Sequence, residues 1–181
     1  MRLFVIIIIL LSPAILFSQL IRPGISFTYI PFFGTDNPSE RYDELTLNVN
    51  SLYAINKRHN IGIQYLNIWT RGSSYSISDE KHTYYLAGLF YQFDILKESS
   101  NEWFPEVSIN YGNYCPCGNF DPFERPSLIY IGYGMGFDYK IYKNLYLDLG
   151  FHWYQPIAGV QKEDSAYSYT QYVLGVSYLL K

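Results

Sequence analysis

The sequence predicts an all-β fold, an eight-stranded antiparallel up-and-down transmembrane β-barrel, and three observations point to it. Eight segments alternate apolar and polar residues, which is the two-residue period of a strand whose faces meet different surroundings. The apolar row of all eight holds no charged side chain. Because 16 % of the 181 residues are charged, about six of these roughly forty positions would be charged on composition alone, whereas a lipid-facing row forbids them at about 2–4 kcal/mol per midplane Arg or Lys. Finally, 19 % of the chain is aromatic, and the rings gather near segment ends, where side chains with apolar bodies and polar tips meet headgroups.

The first segment, 24–33, sets Ile25, Phe27 and Tyr29 on one face and stops at Gly34, ahead of the turn formers Asp36-Asn37-Pro38. The second, 43–55, alternates Leu45, Leu47, Val49 and Tyr53 with Thr46, Asn48 and Asn50. A polar turn leads to the third, 60–71, with Ile61, Ile63, Tyr65 and Trp69 in its apolar row, and Gly72-Ser73-Ser74 ends it. The fourth, 82–93, carries Tyr85, Ala87, Leu89, Tyr91 and Phe93, and Ser99-Ser100-Asn101 separates it from the fifth, 103–113, with Trp103, Val107, Ile109 and Tyr111. A long connection containing Gly118-Asn119 and Asp121-Pro122 precedes the sixth, 127–138, whose row is Ile129, Ile131, Tyr133, Met135 and Phe137. The tight Lys143-Asn144 turn opens the seventh, 145–154, with Leu145, Leu147, Leu149, Phe151 and Trp153; the eighth, 167–180, supplies Tyr172, Leu174, Val176 and Tyr178.

With the N-terminus starting on the periplasmic side, connections 55–60, 94–102 and 139–144 are expected there, and 34–42, 72–81, 113–126 and 155–166 on the outside. Trp69, Tyr85, Tyr111 and Trp153 then belong to an outer aromatic girdle, and Tyr53, Phe93, Trp103, Phe137 and Tyr178 to an inner one. Most of the charge sits in the connections.

Residues 1–18 read as a secretory signal: Met1-Arg2, an apolar run from Leu3 to Leu11, and a Ser-containing exit at Ser18. Residues 19–181 are expected to form one barrel domain, with no linker or second domain. No Cys follows the apolar run, so no lipoprotein anchor is indicated, and no later apolar stretch has helix-spanning length. The formal charge of −3 becomes more negative once Arg2 leaves, which excludes a nucleic-acid binder.

A secreted calycin-like barrel would have the same alternation with the faces exchanged. The second face decides against it. It reads Thr46, Asn48, Asn50; Gly62, Gln64, Leu66; Tyr84, Leu86, Gly88, Gln92; Glu106, Ser108, Asn110, Gly112; and, later, Tyr130, Gly132, Gly134, Gly136, Asp138, Tyr146, Asp148, Gly150, His152, Gln171 and Gly175. It lacks the Lys and Arg of a water-facing exterior. Small and uncharged polar groups suit the narrow lumen of eight strands.

Two phrases, Asn56-Lys57-Arg58-His59-Asn60-Ile61-Gly62-Ile63 and Tyr142-Lys143-Asn144-Leu145-Tyr146-Leu147, are each a polar inner turn running into an ascending strand. On these and the last strand, Tyr172 to Lys181, the chain from 20 to 181 resembles the small OmpA/OmpX-type outer-membrane β-barrels. That resemblance implies the cell outer membrane as location, outer-membrane lipid and lipopolysaccharide as surroundings, and barrel-assembly machinery as the partner during insertion. It also implies structural, adhesive or defensive roles, and only occasionally an enzyme.

Inward Glu106, Asp138 and Asp148 fall on neighbouring strands, and Arg22, of the same parity as Ser26 and Thr28, is their expected compensator, with Lys140 at the mouth. We read them as a structural ion-pair network filling the lumen. Cys115-Pro116-Cys117 lies in the longest outer connection; a local or intermolecular disulfide is the first expectation after export, with free thiols and a soft-metal chelate as alternatives. A hydrolase wants a Ser or Asp beside a His and a third orienting group; His152 has no nearby Ser, His82 has Ser78, Asp79 and Glu80 near it but all in a loop, and His59 sits in a turn, so each is read as structural or solvated. No catalytic residue, cofactor or metal is therefore assigned. The expected role is a non-catalytic membrane barrel whose connection 113–126, with Cys115, Cys117, Phe120 and Phe123, contacts an external or membrane protein partner. A lipid-modifying enzyme and a secreted ligand-binding barrel are the rivals. For the cysteines, alkylation without reductant is expected to leave both unlabelled and alkylation after reduction to add two labels by mass; labelling that reduction does not change dismisses the bridge.

Overall fold

The computed structural model describes residues 21–33, 41–74, 77–98, 100–113, 127–158 and 169–180. Their strands are β1 (Ile21–Phe33), β2 (Arg41–Ala54), β3 (His59–Ser74), β4 (Ile77–Phe93), β5 (Leu96–Lys97), β6 (Asn101–Gly112), β7 (Leu128–Tyr142), β8 (Leu145–Ala158) and β9 (Tyr169–Tyr178). Every pairing is antiparallel between neighbours in sequence, β4 pairs with β6, and β1 pairs with β9, so the wall closes as an eight-stranded barrel. Among the described residues no helix is long and apolar enough to cross a membrane.

Closure has a physical reason. An open sheet would leave a row of backbone N–H and C=O groups unpaired, at several kcal/mol each in hydrocarbon. The seam between the ends is brief: Gly24 to Phe27 pair with Ser177 to Leu174. It is extended at the inner end by Leu180 N donating to Ile21 O at 3.0 Å. On the outer side, the Thr28 hydroxyl donates to the Tyr172 carbonyl.

The eight long strands match the eight alternating segments, and three details differ. The predicted connection 94–102 holds the short β5, whose Leu96 and Lys97 fold back onto Trp103 and Glu102. The predicted connection 72–81 is mostly strand, because the β3–β4 ladder continues through Arg71 opposite Lys81 to Ser74 opposite Ile77. Strand β1 begins at Ile21, which brings Arg22 opposite Leu52 inside the ladder. The β7–β8 hairpin turns tightly, with Lys143 at φ 40°, a left-handed conformation that such turns require.

The two faces separate by polarity as the alternation requires. Outside stand Phe27, Val49, Tyr65, Leu89, Ile109, Met135 and Leu174, with Leu89 60 % and Met135 62 % exposed. Soluble monomers rarely expose apolar patches beyond a few hundred Å²; a lipid-facing wall exposes little else. Rings cluster on this surface, with Trp103 against Phe137 at 4.7 Å and Tyr133 edge-on to Trp153 at 4.9 Å.

Inside, the lumen has two parts. Toward the outer end Leu66, Ile68, Tyr84, Leu86, Leu128, Tyr130, Tyr154 and Tyr169 form one buried cluster. Their hydroxyls are paired where the ring cannot be: the Thr46 and Tyr169 hydroxyls share a hydrogen bond at 2.6 Å, and Tyr154 donates to Gln171 Oε1 at 3.2 Å. Room for such bulk comes from glycine. A Cβ on Gly132 would fall on Ser108 Oγ and within 2.8 Å of the Tyr154 ring, and one on Gly134 would collide with His152. Toward the inner end the lumen is charged.

Leu89→Arg, on the lipid side in register with Ile63 and Ile109, is expected to destabilise the barrel by about 2–4 kcal/mol in urea titrations in lipid vesicles. The same substitution on a soluble barrel would fall within about 0.5 kcal/mol of neutral.

Candidate functional site

The charged half of the lumen is built by register. Glu102 of β6 lies opposite Asp138 of β7, and Asp138 opposite Asp148 of β8, so three carboxylates share one row on adjacent strands. Like charges so placed repel unless a cation intervenes. Arg22 is that cation, reaching across the lumen from β1. Its Nη1 donates to Glu102 Oε2 at 2.9 Å, and its Nη2 donates to Asp138 Oδ2. The guanidinium lies 4.9 Å from the centre of the Tyr146 ring, a cation–π contact. Asp148 accepts from Ser177 Oγ at 2.8 Å.

Glu106 lies apart from this network. It accepts from Gln92 Nε2 at 3.0 Å and faces His152 Nε2 at 3.6 Å, a distance for charge attraction rather than a hydrogen bond. His152 also lies 3.4 Å from the Tyr154 hydroxyl, on the lumen face where its parity places it. The structure thus brings Arg22 to Asp138 and Asp148 near it, puts Glu106 with Gln92 and His152, and gives Arg22 a partner, Glu102, that the sequence reading assigns to a connection. The reason is the strand start: β6 begins at Asn101, directly after the turn formers Ser99-Ser100, which turns Glu102 inward with the parity of Glu106. The same parity rule applies to buried Glu44, which shares a face with Thr46 and Asn48. Parity was the signal available for both.

At the inner rim Asn60 Nδ2 donates to buried Asp94 at 3.1 Å, and His59 Nδ1 and the Tyr91 hydroxyl are 2.5 Å apart. Arg22, Gln92, Glu106, Asp138, Asp148 and His152, with others, line a cavity of about 50 Å³. Among the described residues no three His, Cys, Asp or Glu converge as a metal set. Cys115, Cys117, Phe120 and Phe123 lie outside the described residues, as does the side chain of His82.

The comparisons with known proteins agree with this architecture. Neisserial surface protein A matches with a TM-score of 0.55 over 89 % of this chain and 96 % of its own, at 16 % identity. The outer-membrane protein Ail of Yersinia pestis in a phospholipid bilayer nanodisc gives 0.54 over 88 % and 98 %, at 14 % identity. Outer membrane protein W of E. coli gives 0.51 over 90 % and 98 %, at 13 %. The chain is a transmembrane β-barrel of the outer-membrane type. No protein-family model matches this outer-membrane-type barrel, and no curated protein is significantly similar to it in sequence.

Arg22→Ala would remove the guanidinium that bonds Glu102 and Asp138 in the buried lumen, and is expected to cost the barrel about 3–5 kcal/mol in urea titrations. Adding Glu102→Gln and Asp138→Asn should recover most of that loss; no recovery means that the Arg22 stem, not its charge, matters.

Proposed function

We propose that this protein is an integral outer-membrane barrel without catalysis, whose outer connections contact a partner outside the cell or beside it in the membrane. The observation carrying this reading is the division of the wall. The exterior is an uncharged apolar belt suited to lipid, and the outer half of the lumen is filled by Tyr130, Tyr154, Tyr169 and their neighbours, each buried. A plugged lumen favours a closed barrel over a pore, and leaves the connections 34–42, 113–126 and 155–166 as the surface offered outward. Connection 113–126 holds Phe120, Phe123 and both cysteines, and aromatic anchors are the residues that most often dominate contact energies.

Structural neighbours lend support at the level of architecture. Ail has been crystallised in complex with the heparin analogue sucrose octasulfate, so a barrel of this size can hold an external ligand. Outer-membrane lipid and lipopolysaccharide would surround the belt, and barrel-assembly machinery would meet β9 during insertion. The lipid-modifying alternative is disfavoured by His152, whose ring is buried against Glu106 and Tyr154.

Fractionation should recover the mature chain with outer membranes, in a form whose gel mobility shifts on boiling. Cells displaying Phe120→Ser/Phe123→Ser are expected to lose surface attachment by about tenfold or more with that mobility shift intact. Recovery in the aqueous fraction, or a lipid A mass spectrum that changes with His152→Ala or His82→Ala, overturns the reading.

A further inference from the structure

We propose that the lumen cavity is a binding site for a partly hydrated hard cation, held by oxygen atoms of Glu106, Asp148, Asn48 and Gln92. All four residues line the same space of about 50 Å³. One water needs about 10–15 Å³ of such space, so an ion with two or three waters fits.

Two independent observations lead there. The first is charge. Arg22 spends both ends of its guanidinium on Glu102 and Asp138. Asp148 has a neutral hydroxyl from Ser177, and Glu106 a neutral amide from Gln92 with His152 no closer than 3.6 Å. Glu106 and Asp148 thus face the cavity without a hydrogen bond from a cation, Asp148 lying beside the Arg22–Asp138 pair.

The second is hydrogen bonding. Asn48 and Gln92 are only 2 % and 7 % exposed, yet Asn48 Oδ1 and Gln92 Oε1 have no hydrogen-bond partner. The Gln92 orientation is fixed, because its Nε2 is used by Glu106. Both unpartnered atoms are acceptors, whereas the unpartnered donor Gln171 Nε2 lies outside the cavity lining. The space therefore offers acceptors and negative charge together. Carboxylate with amide oxygens is the donor set of Ca²⁺ and similar hard ions, which complete their shells with water.

The test uses the full mature barrel refolded in micelles after chelator treatment. The midpoint of its heat-induced gel shift is read in CaCl2, MgCl2, NaCl and choline chloride at matched ionic strength, choline being too large for the cavity. At least one metal salt should raise the midpoint above choline, with its apparent affinity weakened about tenfold or more in Glu106→Gln and in Asn48→Leu. Asp94→Asn, an inner-rim change outside the cavity, should respond as wild type. Should the Leu variant fail to fold, Asn48→Asp serves in its place and is expected to tighten binding. Equal midpoints in metal and choline, or metal responses unchanged in Glu106→Gln, mean that water alone occupies the space and overturn the proposal.

Discussion

Hydrocarbon cannot hydrogen-bond, and the rest of this molecule follows from that. A sheet placed in it must satisfy every backbone group within itself, which forces β1 to find β9 across the length of the chain. Once the wall is closed, the side-chain period of two divides each strand between lipid and lumen. Charge is then permitted only inside or at the ends, and the strands obey: Leu, Ile, Val and aromatic residues outside, and Arg22, Glu102, Glu106, Asp138 and Asp148 within or beside the lumen.

Closing eight strands also fixes how much the lumen can hold. The outer half is filled with tyrosines and leucines, and the glycines of β7 make the space: without Gly132 and Gly134 the rings of Tyr154 and His152 would have nowhere to lie. The inner half is filled with charge, and there the difficulty is electrostatic. Three adjacent strands place acids in one row, and one arginine from the opposite wall reaches two of them, Glu102 and Asp138. Arg22 thereby ties the first strand to β6 and β7 through their side chains, close to the short β1–β9 seam where the wall has few backbone pairs.

The function proposed for this molecule lies where that constraint is absent. The belt is committed to lipid and the outer lumen to packing, so the outer connections are the part of the chain left to vary in shape and chemistry. The inner lumen differs from the outer one in that its cavity is lined by both carboxylates and Arg22, together with two amide oxygens, of Asn48 and Gln92, that have no hydrogen-bond partner.

By itself the sequence determined the strands, their parity and the medium outside, because alternation and the exclusion of charge from one face are local properties of each segment. Tyr130, Gly132, Gly134 and Asp138 are legible as lumen residues from spacing alone. What only the tertiary structure decided is which residues meet across the lumen: that Arg22 takes Glu102 rather than Glu106, that Glu106 turns to Gln92 and His152, and that β5 folds back on β6. Those contacts depend on the stagger of the strands around the closed wall, a quantity set by all the ladders together and encoded in no single one.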